Sequence, residues 1–276
     1  MSEDLQGFEL SPPEMRRLRF RNIPLRVVLP NLVTLLALCM GLTAIRYAIE
    51  EDFVKAVTAI MAAAVLDGLD GRIARAIKGT SRFGAELDSL ADFVDFGVAP
   101  GLLLYLWSLH EIKGLGWFAV LAFAIAGALR LARFNVMIDD PGKPAWQAEF
   151  FVGMPAPAGA VTVLLPLYLH FSVLELPASK ALVPFYIIYV LAIAFLMASR
   201  IPHFSGKRIG RIPRDLVIPV LFGVGVTALL LATYPMEVLS VVSVAFLAMI
   251  PFSVKRYNAL AKAEMEKAQA SGAPQE

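Results

Sequence analysis

Cysteine is all but missing. The 276-residue chain has one, Cys39, set in an apolar run, so no intrachain disulfide can form and its expected place is in packing. Charge is scarce: 17% of residues are charged, where a soluble domain has about 25%. The net charge of +2, with no stripe of interleaved basic and aromatic residues, argues against a nucleic-acid partner. The first 26 residues show no apolar h-region and no cleavage site, so no signal peptide is expected. No internal repeat is evident. What remains is apolar: 58% of the chain is hydrophobic, the composition of a polytopic membrane protein.

Eight apolar stretches, roughly 27–49, 53–77, 87–108, 115–138, 154–175, 181–199, 215–233 and 236–254, could each cross a hydrocarbon core of about 30 Å. The expectation is an all-α bundle of about eight transmembrane helices over residues 27–256. Residues 1–26 make a polar tail whose end, from Glu14 on, alternates arginines with apolar side chains and reads as a short amphipathic helix on the membrane surface, or as a solvated helix. Residues 257–276, rich in Ala, Lys, Glu and Gln, read as a soluble, cytoplasmic helix that frays. With the N-terminus inside, only Arg46, Lys55, Lys113 and Lys180 of the 25 basic residues fall outside, leaving 21 inside. That split follows the positive-inside rule and puts both termini, and the turn between the second and third spans, on the cytoplasmic side. His110 and His170 then lie near the outer face and His203 in an inner loop, while Trp107 and Trp117 suit interface anchors.

That turn carries the chemistry. DGLDGRIARAIKGTSRFGAELDSLAD, from Asp67 to Asp92, sets four aspartates in membrane-bound sequence. One aspartate at the centre of a span costs roughly 2.5–3.5 kcal/mol. Four together cost on the order of 10 kcal/mol, as much as a domain's net stability. Asp67 and Asp70 are three apart, and Asp88 and Asp92 four apart, so each pair shares a helix face. The 17 residues between Asp70 and Asp88 allow a helix end, a loop and a helix start, bringing the pairs together. Four converging carboxylates are hard oxygen ligands suited to two divalent cations, Mg²⁺ or Mn²⁺, the two-metal clamp for displacement at phosphorus. Gly71, Ala74 and Gly84 leave room for a ligand against the backbone, and Arg75 can grip phosphate. Aspartate–arginine pairs that merely fix helix packing are the plainer alternative. An intramembrane cation site of a transporter is another, but it predicts broken helices and repeat symmetry.

The pattern D-x2-D-G-x2-A-R-x8-G-x3-D-x3-D is met at Asp67, Asp70, Gly71, Ala74, Arg75, Gly84, Asp88 and Asp92. It resembles the motif of the CDP-alcohol phosphotransferases, membrane enzymes of phospholipid synthesis. The resemblance implies attack of an alcohol on the lipid-side phosphorus of a CDP-lipid, with CMP leaving. It implies metal ligation by Asp67, Asp70, Asp88 and Asp92, with Asp92 also the catalytic base. By the same resemblance Gly71, Arg75 and Ser81 contact the CDP moiety and Ala74 lies against cytosine. Asn31 and Thr34 of LPNLVT resemble first-helix residues near the pyrophosphate, although Asn31 could instead be a helix N-cap after Pro30.

DSLADFVDFGVAP from Asp88, LRLARFN from Leu129, FVGMPAPAGA from Phe151 and MASRIPHFSGK from Met197 resemble the phosphatidylserine synthase branch, so that the likeness covers most of residues 29–207. Asp95 is a departure, since that branch often carries serine there, at a position the resemblance places beside the acceptor pocket. The branch implies CDP-diacylglycerol and L-serine as substrates, with glycerol phosphate, inositol phosphate or choline as rival acceptors. It also implies a possible homodimer in a bacterial inner membrane. Serine carries a carboxylate and an ammonium, so its site needs a cation and an acceptor. Arg130, Arg133 and Asn135 are candidates, with Arg200 and Lys207 a second set, unless these cations face lipid headgroups.

Overall fold

The structure, a computed structural model, describes residues 25–138, 146, 149–175, 179–205 and 216–270. The chain is an all-α integral membrane protein. The run before α1, including most of the expected amphipathic segment, lies outside the described residues, as does Lys207.

Helix α1 (Leu25–Ile49) and α2 (Phe53–Ala76) form an antiparallel pair. The buried stripe of α1 is Pro30, Thr34, Ala37, Gly41, Ala44 and Ala48, and α2 buries Ala56, Ala59 and Ala63 among others. Small residues let backbones approach closely where lipid offers no hydrophobic drive. Asp52 begins α2 by accepting the Lys55 amide at 3.1 Å. Next come α3 (Arg82–Asp92), a π-helical turn (Phe93–Val98) and α4 (Ala99–Trp107). The expected third span, roughly 87–108, is thus a helix with its pitch widened in the middle. A Cβ on Gly127 would stand 3.2 Å from the Gly97 Cα, so the widened turn packs backbone to backbone on α5 (Lys113–Ile138).

The expected fifth span is broken into α6 (Ala156–Val163) and α7 (Leu165–Phe171). Pro166 lacks the N–H that would bond the Thr162 carbonyl four residues back, and the Tyr189 hydroxyl of α8 (Val183–Ala198) donates to that carbonyl instead at 2.6 Å. Helix α9 (Val217–Thr233) buries none of its residues and lies beside α10 (Pro235–Ala270). Five segments are long and apolar enough to span by themselves: Leu25–Ile49, Arg82–Trp107, Leu109–Met137, Lys180–Ala198 and Pro235–Glu264. By that measure α2, α6 with α7, and α9 do not qualify: α2 carries the charges, α6 and α7 are interrupted, and α9 is short.

Two three-residue strands, β1 (Phe150–Val152) and β2 (Pro202–Phe204), pair antiparallel with Phe151 opposite His203. Gly153, at φ +78°, follows β1 under the Ser199 carbonyl, where a Cβ would come within 2.7 Å. The ladder rests on α10. His203 stacks on Phe246 with ring centroids 5.8 Å apart, and Phe150 meets Tyr257 edge-on at 5.3 Å. Beyond it, Arg256 lies 3.6 Å from Glu149, and the Trp146 indole donates to Glu264. The helix expected from residue 257 is, as far as Ala270, continuous with the last span as part of α10.

Candidate active site

Everything at the site hangs on the turn between α2 and α3. After the α2 C-cap at Ile77, Lys78 adopts φ +52° and the chain passes under the first turn of α1. A Cβ on Gly79 would fall 1.8 Å from the Arg26 carbonyl oxygen, so only glycine fits that crossing. Ser81 then caps α3, accepting the Gly84 amide at 3.0 Å. A Cβ on Gly84 would lie 2.7 Å from Asn31 Oδ1 and 3.1 Å from Ser81 Oγ. Asn31, Ser81 and Gly84 therefore meet at one point. Asn31 is not a helix N-cap: α1 starts at Leu25 and runs through Pro30.

The turn brings the carboxylates together. Asp67, Asp70 and Asp88 each offer an oxygen within 4.8 Å of the others. Asp92, one turn beyond Asp88, reaches hydrogen-bonding range of Asp67. Two carboxylates that close need a proton or a cation between them. Asp70 is buried, and the Thr34 hydroxyl of α1 donates to its Oδ2 at 2.6 Å, fixing its orientation. The guanidinium of Arg75 folds back over Gly71, with Nη1 3.4 Å from where a Cβ would stand, and lies within electrostatic reach of Asp70. Ala74 is half-buried beside it on α2.

The five acceptor candidates separate. Arg130 is buried, lies over the Phe134 ring at 5.5 Å and is within electrostatic reach of Asp67 and Asp92. Arg133 sits one turn later and donates to the Ser199 and Ala198 carbonyls at 2.8 and 2.7 Å, closing the C-terminal end of α8. The Asn135 amide donates to Ser89 Oγ at 2.9 Å and ties α5 to α3. Arg200 is exposed. Of the described four, only Arg130 faces the carboxylates. A further acid is Asp95, the departure from the branch noted in the sequence at a position expected beside the acceptor pocket. It is fully buried in the π-helical turn and in electrostatic reach of Asp67. The signal in the sequence was a third aspartate one turn past Asp92.

A family model for the CDP-alcohol phosphatidyltransferases matches residues 27–198, and a second, for CDP-alcohol phosphatidyltransferase 2, matches residues 215–251. The chain is similar to a CDP-diacylglycerol–serine O-phosphatidyltransferase of Mycobacterium leprae, with 42% identity over 85% of this chain and 77% of the relative. A protein of the same name from Helicobacter pylori is 36% identical over 77% of this chain and 84% of its own length. Another, from Methanocaldococcus jannaschii, is 33% identical over 65% and 87%.

Proposed function

The chain belongs to the CDP-alcohol phosphatidyltransferase family, and on that premise we propose that it transfers the phosphatidyl group of CDP-diacylglycerol to the hydroxyl of L-serine, releasing CMP. The observation that carries the chemistry is the convergence of Asp67, Asp70 and Asp88 within 4.8 Å, with Asp92 against Asp67. An all-carboxylate donor set, with Thr34 fixing one member, fits two hard divalent cations, Mg²⁺ or Mn²⁺. When bound, such ions supply charge stabilisation on the pyrophosphate and the leaving CMP.

The protein's own groups do the rest. Asn31 meets Ser81 and Gly84 on one side and Arg75 folds over Gly71 on the other, and the nucleotide lies along these residues and Ala74 with Arg75 on phosphate. Asp92, at the edge of the cluster, accepts the hydroxyl proton as the serine oxygen bonds to phosphorus and the bond from phosphorus to the CMP oxygen breaks. Arg130 receives the serine carboxylate. The serine acceptor is supported by the names of the relatives. The distribution of basic residues supports a site on the cytoplasmic face, and relatives from bacteria support a bacterial inner membrane.

The test is product identification. The purified protein in lipid nanodiscs is given CDP-diacylglycerol, Mg²⁺ or Mn²⁺, and in turn L-serine, glycerol phosphate, inositol phosphate or choline. Mass spectrometry should find phosphatidylserine and CMP with serine. A phosphatidyl product from another alcohol and none from serine overturns the acceptor. CMP release with no alcohol at all overturns the transferase.

A further inference from the structure

Helix α5 is fastened to the run from α3 through the π-helical turn in two different ways, and the facing charges of the site lie between the two fastenings. One is the glycine crossing, where a Cβ on Gly127 would stand 3.2 Å from the Gly97 Cα. Both glycines are buried. The other is a side-chain bond. Asn135 Nδ2 donates to Ser89 Oγ at 2.9 Å, and the Ser89 hydroxyl donates to the Ala85 carbonyl of its own helix at 3.1 Å. Asn135 is exposed and Ser89 half-buried. No other pair of described residues joins α5 to α3 by a hydrogen bond or an ion pair. Eight residues separate Ser89 from Gly97, and eight separate Gly127 from Asn135, about 12 Å of each helix. The two fastenings therefore close a frame with sides of equal length.

Asp92 lies three residues past Ser89, and Arg130 three past Gly127. Because the helices run in opposite directions, the two charges are offset along the frame by only two residues, about 3 Å. Arg130 reaches Asp92 and Asp67 through space, and no ion pair joins them among the described residues. Opposite charges in a buried setting draw together unless their helices are held. The glycine crossing has no interlocked side chains, so it sets a distance and leaves the angle free. The angle falls to the bond at the open end. Resting on the serine reading above, we propose that Ser89 and Asn135 are positioning residues. Their bond sets the gap across which one acceptor gives its hydroxyl to Asp92 and its carboxylate to Arg130. Neither touches substrate; both act through the placement of the helices. The bond can bias the frame by no more than its own strength, so its loss should cost about twofold to tenfold.

The test is a double-mutant cycle of Ser89→Ala, Asn135→Ala and the two combined, in nanodiscs with CDP-diacylglycerol and Mn²⁺. Each single variant should lower kcat/KM for serine by about twofold to tenfold, with the KM for CDP-diacylglycerol unchanged. The combined variant should be no worse than either single one. Ser89→Thr, which keeps the hydroxyl, should behave as wild type. A further loss when Asn135→Ala is added to Ser89→Ala overturns the proposal, because Asn135 would then meet the acceptor itself. Unchanged serine kinetics in both single variants overturn it as well, as does an equal rise in the KM for CDP-diacylglycerol. If Ser89→Ala fails to fold, judged by loss of CDP-diacylglycerol binding, Asn135→Leu is compared with Ser89→Thr. A serine-specific loss in the first and none in the second supports the brace, and any other result overturns it. A wild-type protein that phosphatidylates another alcohol and never serine fails the acceptor reading instead. The same cycle measured with that alcohol then decides the brace separately.

Discussion

Thr34 and Asp92 do opposite kinds of work on the same cluster. Thr34 holds Asp70 from outside, by a single hydroxyl at 2.6 Å. Groups that orient a metal ligand are worth 10–100-fold in metal affinity. Thr34→Val, which keeps the shape, should therefore raise the Mn²⁺ concentration for half-maximal activity by about that factor, and Thr34→Ser should restore it. Asp92 lies outside the tight triad of Asp67, Asp70 and Asp88. Asp92→Asn should cut kcat by about 10²–10⁴-fold, the range for a lost general base, while paramagnetic resonance still detects Mn²⁺ on the triad. Loss of the Mn²⁺ signal in that variant would make Asp92 chiefly a ligand.

At the scale of helices and turns, Arg133 shows how far side-chain type misleads. Two arginines three apart on α5 are equivalent to a reader of the sequence. One faces the carboxylates, and the other closes the end of α8 with two hydrogen bonds. Arg133→Met should lower stability by about 1.5–3 kcal/mol, the worth of bonds to a charged group. Thermal denaturation would show it, with the serine KM little changed; a large rise in that KM would return Arg133 to the acceptor site. Gly79→Ala should also destabilise, by about 1–3 kcal/mol as an overpacked contact, because the new methyl meets the Arg26 carbonyl. A melting temperature equal to wild type would show that the turn can move aside.

Helix positions were legible because long apolar runs can cross a bilayer only with their backbone bonds made internally. The carboxylate cluster was legible because three- and four-residue spacings fix a helix face. The π-helical turn was not, since Phe93–Val98 reads as apolar at either pitch. Pro166 marks the break at Leu164, but the Tyr189 hydroxyl that makes it tolerable lies far along the chain. Pro30 left open an N-cap at Asn31, whereas α1 begins at Leu25, close to the expected start at 27. Strands β1 and β2 are three residues each, too short for any alternation to stand out.

Over the whole molecule, His203 joins the β ladder to the last helix and makes stability depend on pH. Its Nδ1 lies 2.8 Å from the Ile201 carbonyl oxygen and its ring stacks on Phe246. Nε2 is buried with no partner among the described residues. Burial, only partly opposed by the Ile201 carbonyl, pushes the imidazole below its ordinary value of 6.5. The unfolded chain then takes up a proton that the folded one refuses, so stability is complete above 6.5 and falls as pH drops through that value toward the lower folded one. The melting temperature should decline between pH 7.5 and 5.5, and His203→Gln should flatten the decline. The same slope in the variant would place the titration elsewhere.

Arg130, the buried cation beside Asp67 and Asp92, stands 38 residues downstream of Asp92. A ribosome adding about 5–20 residues per second releases Asp92 roughly two to eight seconds before Arg130. During biogenesis the insertion machinery therefore handles the Asp67–Asp92 pair before its buried cation exists, with only the hairpin's own Arg75, nearer Asp70, and ions or water to offset it until α5 emerges.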